Sequence, residues 1–103
     1  MEKIKRNVVI VDSSKIKNKH DIFNLFSKKL SFPNYFGNNW DAFWDCITDL
    51  MWLKNKDTLV KIKDYDILKQ KEEGKILIKI LTDAKTFWKK HNVDFDLNIF
   101  KEK

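Results

Sequence analysis

Cysteine, proline and arginine each occur once in the 103 residues, and glycine twice. Each shortage excludes something. Cys46 alone cannot close an internal disulfide, which fits a reducing compartment. Two glycines leave no Gly-rich loop to cradle a phosphate, and Cys and His show no zinc spacing. The longest unbroken apolar runs, Val8–Val11 and Leu50–Leu53, are four residues long, whereas a membrane span needs roughly 20. The basic start MEKIKR leads into an apolar run that stops at Asp12, too short for a secretory core. A cytoplasmic protein is expected, with no membrane partner. Repeats, low-complexity tracts and linker-like stretches are lacking, so one domain over residues 1–103 is expected.

What is abundant is lysine and aromatic residues. The chain is 43% hydrophobic and 14% aromatic, the composition of a globule with a core. All but one of the 21 cations are lysine, and they outnumber 15 carboxylates to leave a net charge of +6. Base reading and phosphate clamping favour arginine. Lysine spread along the whole chain reads mainly as solvated surface. A small basic nucleic-acid-binding module stays open as the alternative function.

The β-branched run Val8–Val11 predicts a buried strand. Asp21–Leu30 places Ile22, Phe23, Leu25, Phe26 and Leu30 on one helical face, with Lys28 and Lys29 in the last turn. Pro33 disfavours helix at Phe32. Gly37 supplies a turn, and Asn38 or Asn39 caps a helix from Trp40 to about Met51. Thr58–Lys63 predicts a second strand, Tyr65–Lys71 a short helix and Gly74–Lys90 a long amphipathic helix. Val93–Phe100 alternates as a strand with one wet face does. That order predicts an α/β fold, a three-stranded parallel sheet packed by three or four helices.

One stretch stands apart. From Ser31 to Leu53 there is no Lys or Arg, and Asp41, Asp45 and Asp49 give it a charge of −3, so the rest carries +9 to reach +6. On a helix from Trp40, residues Trp40, Phe43, Ile47, Leu50 and Met51 form the core stripe. The three aspartates lie together on the opposite side, with Trp44 between the two sets. Like charges four apart cost about 0.2–0.5 kcal/mol per pair. Either the row is an ordinary solvated face, or it docks a cationic partner. Three aspartates along one straight helix do not wrap the six or more oxygens that calcium prefers, so no metal and no cofactor are expected. Cys46 with His20 or His91 lacks an oxyanion loop and sits inside a helix, so the chain is not expected to be an enzyme.

The stretch FPNYFGNNWDAFWDCITDL resembles the central motif of the barstar family, intracellular inhibitors of barnase-like ribonucleases. Pro33, Tyr35, Phe36, Gly37, Asn39, Asp41, Ala42, Phe43, Trp44, Asp45, Cys46 and Thr48 carry the match in register. The resemblance implies a barstar-like sheet and an RNA-imitating surface built from the second helix and the loop before it. It implies a one-to-one complex with a cationic ribonuclease of barnase type, as an inhibitor, immunity protein or antitoxin. Asp45 matches the residue that replaces a substrate phosphate, and Asp41 a second carboxylate for the cationic rim. Tyr35 matches the aromatic that covers the enzyme's catalytic His. Phe36, Gly37, Asn39, Trp44, Thr48 and Asp49 complete the implied contact face, with Asp83 as the acidic residue of the last long helix. Trp40 stands where the family commonly has a smaller apolar residue, and the net charge of +6 contrasts with an acidic best-known member.

Overall fold

The computed structural model describes residues 6–34 and 36–101. Three parallel strands, β1 (Asn7–Asp12), β2 (Thr58–Lys63) and β3 (Phe95–Phe100), form one sheet in the order β1-β2-β3. Its register aligns Val9 with Val60 and Leu97, and Val11 with Ile62 and Ile99. Four helices connect the strands: α1 (Lys19–Lys29), α2 (Trp40–Ile47), α3 (Tyr65–Leu68) and α4 (Glu72–Lys89). A 3-10 turn, Ser13–Lys15, follows β1. The expected three-stranded parallel α/β fold is what the chain adopts.

Apolar stripes of three helices meet one face of the sheet. Phe23 and Phe26 of α1, Phe43 and Ile47 of α2, and Leu77, Leu81 and Ala84 of α4 join Val9, Val11, Val60 and Ile62 in one buried core. Edge-to-face rings knit the upper part, with Phe26 5.1 Å from Phe43 and Phe23 5.6 Å from Phe36. The other face of the sheet is open, which corrects the reading of Val8–Val11 as a fully buried strand. Val8 and Ile10 point away from the helices and are 45% and 51% exposed. A run of apolar residues is the mark of a strand covered on both faces, and here only one face is covered.

Capping explains the shifted helix ends. Asn18 accepts from the backbone of His20 and Asp21 at 2.9 and 3.3 Å, so α1 begins two residues before the expected Asp21. Asn92 takes φ 60 and the Val93 N–H donates to Trp88 O at 3.0 Å. Val93 is thereby spent on ending α4, and β3 starts at Phe95. α4 begins at Glu72, with Gly74 inside its first turn. A Cβ on Gly74 would lie 2.0 Å from the Leu68 carbonyl oxygen, so only glycine lets α3 and α4 approach this closely.

Candidate functional site

The site is built around α2. Asn39 is its N-cap, and its side-chain oxygen accepts from Ala42 N at 2.8 Å. Its amide reaches back to Gly37 O at 3.4 Å. A Cβ on Gly37 would stand 3.3 Å from that amide, so glycine leaves room for the cap. In the turn before the helix, where Gly37 was expected, the left-handed residue is Asn38, at φ 56. Asn tolerates this conformation better than most residues. Asp41 then sits in the first turn, where the helix dipole favours a carboxylate.

The expected helix to Met51 is too long, because α2 ends at Ile47. The Thr48 hydroxyl donates to Trp44 O at 2.7 Å, and Asp49 N donates to Cys46 O at 3.1 Å, tightening the last turn. Leu50 then takes φ 53 and is fully buried, which turns the chain inward. Two consequences correct the helical-wheel reading. Asp49 is not on the helix but in the turn beyond it, half-buried. Met51, placed in the core stripe, is 73% exposed.

Two indole donors brace the end of this short helix and the turn that follows it. Trp88 Nε1 of α4 donates to Ile47 O at 2.9 Å, and Trp52 Nε1 donates to Leu30 O at 2.8 Å. Each satisfies a carbonyl at or just past a helix C-terminus, where no backbone partner is available. The ridge therefore rides on packed and hydrogen-bonded supports.

Asp41 and Asp45 are exposed, and Trp44 is half-buried between them. Among the described residues none of Asp41, Asp45 and Asp49 enters an ion pair. Intramolecular pairs lie elsewhere, among them Arg6–Asp94, Lys63–Asp12, Lys69–Asp66, Lys101–Asp66, Lys79–Asp83 and Lys85–Asp96. Asp83 of α4 is therefore not a free carboxylate: Lys79 holds it at 3.0 Å, and both stay largely exposed. A cavity of about 380 Å³ between α2 and α4 is lined by Trp40, Asp41, Trp44, Lys79, Ile80 and Asp83, which brings the acidic residue of α4 beside the ridge.

The remaining candidates divide. Thr48 spends its hydroxyl on the helix end. Gly37 and Asn39 are exposed at its start. Phe36 departs from the expectation of an offered contact. Its ring is buried against Phe23 and Phe32, so it anchors the loop. Tyr35 lies outside the described residues. Lys79 was missed by sequence reasoning, and Phe87, read only as packing of the long helix, was not placed beside the site. The spacing of Lys79 and Asp83 was the available signal for the first. Nothing in sequence announces that Phe87 packs edge-on against Trp44, at 6.4 Å between ring centroids.

Cys46 is a buried free thiol. Burial pushes its pKa up from the ordinary value, and the charges of Asp45 and Asp49 push the same way. A thiolate nucleophile is thus disfavoured at the one position that could supply it. Among the described residues no cluster of His, Cys, Asp and Glu could hold a metal ion, and no helix is long and apolar enough to cross a membrane. The arrangement suits recognition: a fixed anionic edge beside a partly exposed indole, with an apolar hollow next to it.

The family described as Barstar (barnase inhibitor) matches residues 6–99. The chain belongs to the barstar family. A relative from Bacillus subtilis (strain 168) bears the name "Putative ribonuclease inhibitor YrdF" and is 36% identical over 58 residues. That similarity covers 56% of this chain and 60% of the relative. In this barstar-family chain the matched residues contain the anionic ridge and all of the sheet but Phe100.

Proposed function

We propose that this barstar-family protein inhibits a cationic ribonuclease of barnase type by one-to-one occlusion of its active site. α2 and the loop before it enter the catalytic groove. Asp45 takes the place of a substrate phosphate and meets the enzyme's Arg and Lys, while Asp41 meets the cationic rim. Tyr35 covers the catalytic His, and Gly37, Asn39, Trp44, Thr48, Asp49 and Asp83 flank the contact. The observation that carries this reading is an exposed Asp41–Asp45 edge that no cation among the described residues pairs with.

The physics is direct. A ribonuclease must present cations to phosphates, so fixed carboxylates at phosphate positions find ready partners. Arg–carboxylate pairing is bidentate and selective in geometry. The Asp41–Asp45 repulsion, about 0.2–0.5 kcal/mol in the free protein, is relieved when those cations arrive. Long-range attraction is opposed by the net charge of +6, so steering depends on the local −3 window within roughly one Debye length, about 8 Å. An interface of about 1,600 Å² in total is expected. Where the enzyme is a toxin, the same act makes the protein an immunity protein or antitoxin, working in the cytoplasm where RNA is exposed.

Titration against barnase tests this. RNA cleavage should fall to zero at one inhibitor per enzyme, and Asp45→Ala should move the curve to much higher concentration with an unchanged circular dichroism spectrum. Breaking a buried charge pair from one side costs about 3–5 kcal/mol, most of it in the off-rate. Enzyme left fully active by the wild-type protein, together with salt-sensitive RNA binding that survives Asp45→Ala, would instead establish the nucleic-acid-binding alternative.

A further inference from the structure

The ridge does not stop at Asp83. A second cavity, of about 480 Å³, lies where α1 begins, and Trp40 and Ile76 line both it and the hollow beside Trp44. The two hollows therefore sit side by side on a shared apolar floor. Glu72 and Glu73, in the first turn of α4, stand on the rim of the second one. Among the described residues neither carboxylate enters an ion pair. Across the pair of hollows, Asp41, Glu72, Glu73 and Asp83 share the lining with Lys19, His20 and Lys79, and Lys79 is already held by Asp83. In a chain of net charge +6 this is a local reversal of sign.

Trp40 makes the floor. Its ring packs at 4.8 Å from Phe23 and 5.6 Å from Phe43, so one edge is locked into the core, yet the residue is only half-buried. A fixed indole face beside carboxylates is the setting that best holds a guanidinium, which stacks on the ring and pairs with the anions together.

The geometry points to a second subsite, in which Trp40, Ile76, Glu72 and Glu73 receive an arginine side chain from a loop of the ribonuclease outside its catalytic cleft. The inference rests on the inhibitor reading and gives it a determinant of partner choice distinct from the phosphate mimic. The aliphatic stem lies on Trp40 and Ile76, and the head reaches the two glutamates. A partner lacking a cation at that distance from its active site is bound less tightly, though Asp45 engages it normally.

Two measurements test this, one of which needs no enzyme. In the first, barnase is titrated with wild type, with the double variant Glu72→Lys, Glu73→Lys, and with Trp40→Leu. The charge reversal should slow association about fivefold or more at low salt and flatten its salt dependence, because rim charges act mainly on encounter. Trp40→Leu should raise the dissociation rate about fivefold. In the second, N-acetyl-arginine amide is added to the isotopically labelled protein and followed by NMR. The Trp40 indole and the Glu72 and Glu73 amides should shift together, saturating in the millimolar range, and the charge reversal should abolish the shifts. An enzyme unaffected by wild-type protein sinks the inhibitor reading, while the arginine titration still decides the subsite. Wild-type inhibition with unchanged kinetics in the charge-reversed variant overturns the subsite and leaves the inhibitor reading standing. Absence of arginine-dependent shifts at Trp40 overturns it as well.

Discussion

The indole N–H of Trp88 donates to the backbone carbonyl of Ile47 at 2.9 Å, in a site where Trp88 is only 5% exposed. This bond ties the long helix α4 to the last residue of α2, where the ridge helix would otherwise fray. Trp88→Phe keeps most of the apolar contact but leaves the Ile47 carbonyl buried and unpaired. The expected loss is about 1–3 kcal/mol, read as a lower urea midpoint at unchanged slope. Amide hydrogen exchange at Thr48 and Asp49 should speed up more than exchange in β2, since the loss falls at the end of α2.

Asp45→Ala separates stability from function. It removes one like-charge pair four residues apart and puts a better helix former in mid-helix. The free protein should gain a few tenths of a kcal/mol, seen in thermal melts, while inhibition of the ribonuclease is lost. A variant that loses both would mean that Asp45 holds the fold and not the partner.

Gly74→Ala tests the close backbone approach of α3 and α4. Alanine normally improves a helix by roughly 1 kcal/mol over glycine. Here the added carbon would meet the Leu68 carbonyl at 2.0 Å, and α3 and α4 must separate. Overpacking costs about 1–3 kcal/mol and exceeds the propensity gain. The melting temperature should therefore fall, the reverse of the change at an unobstructed helix position.

Stability should fall at both ends of the pH scale, for opposite reasons. Asp12 is held below the ordinary carboxylate value first by the Ser14 hydroxyl, and Asp66 by its hydrogen bond to Lys101. Asp96 is held down by the Leu97 N–H and then by Lys85. A lowered folded-state pKa gives stability that is present above the unfolded value, about 3.9, and lost as pH falls through the folded one. All three sites are solvated, so the acid loss should be small and further reduced by salt. Cys46 works the other way. Its raised pKa gives stability that is full below the unfolded thiol value, about 8.5, and lost as pH rises through the folded one. Urea midpoints from pH 7 to 10 should decline, and Cys46→Ala should flatten that decline.

Much of the fold was legible because the chain obeys simple periodicities. Thr58–Lys63 alternates and is β2 over those same residues. The apolar stripe Ile76, Leu77, Ile80, Leu81, Ala84, Phe87 and Trp88 marks α4 within two residues of its ends. The candidate site was legible as a motif and a charge anomaly. The errors share a cause. Val8–Val11 looked doubly covered because the residues themselves do not say how many layers lie above them. Asp49 looked helical because its spacing from Asp45 is helical, whereas Thr48 and a buried, left-handed Leu50 end the helix first.

Sequence by itself determined the element order, most of the core-facing residues of the longer helices, the cation-free window and the family. These follow from local rules: side-chain period, capping residues, and charge counted along the chain. Only the tertiary structure decided which carboxylates stay open. Asp41 and Asp45 gained no cation among the described residues. It also decided that Trp88 and Trp52 brace the turns around α2, and that Trp40 floors two hollows at once. The Trp88–Ile47 bond alone joins residues 41 positions apart. Pairing across such distances depends on how whole elements pack, and no window of neighbouring residues contains that information.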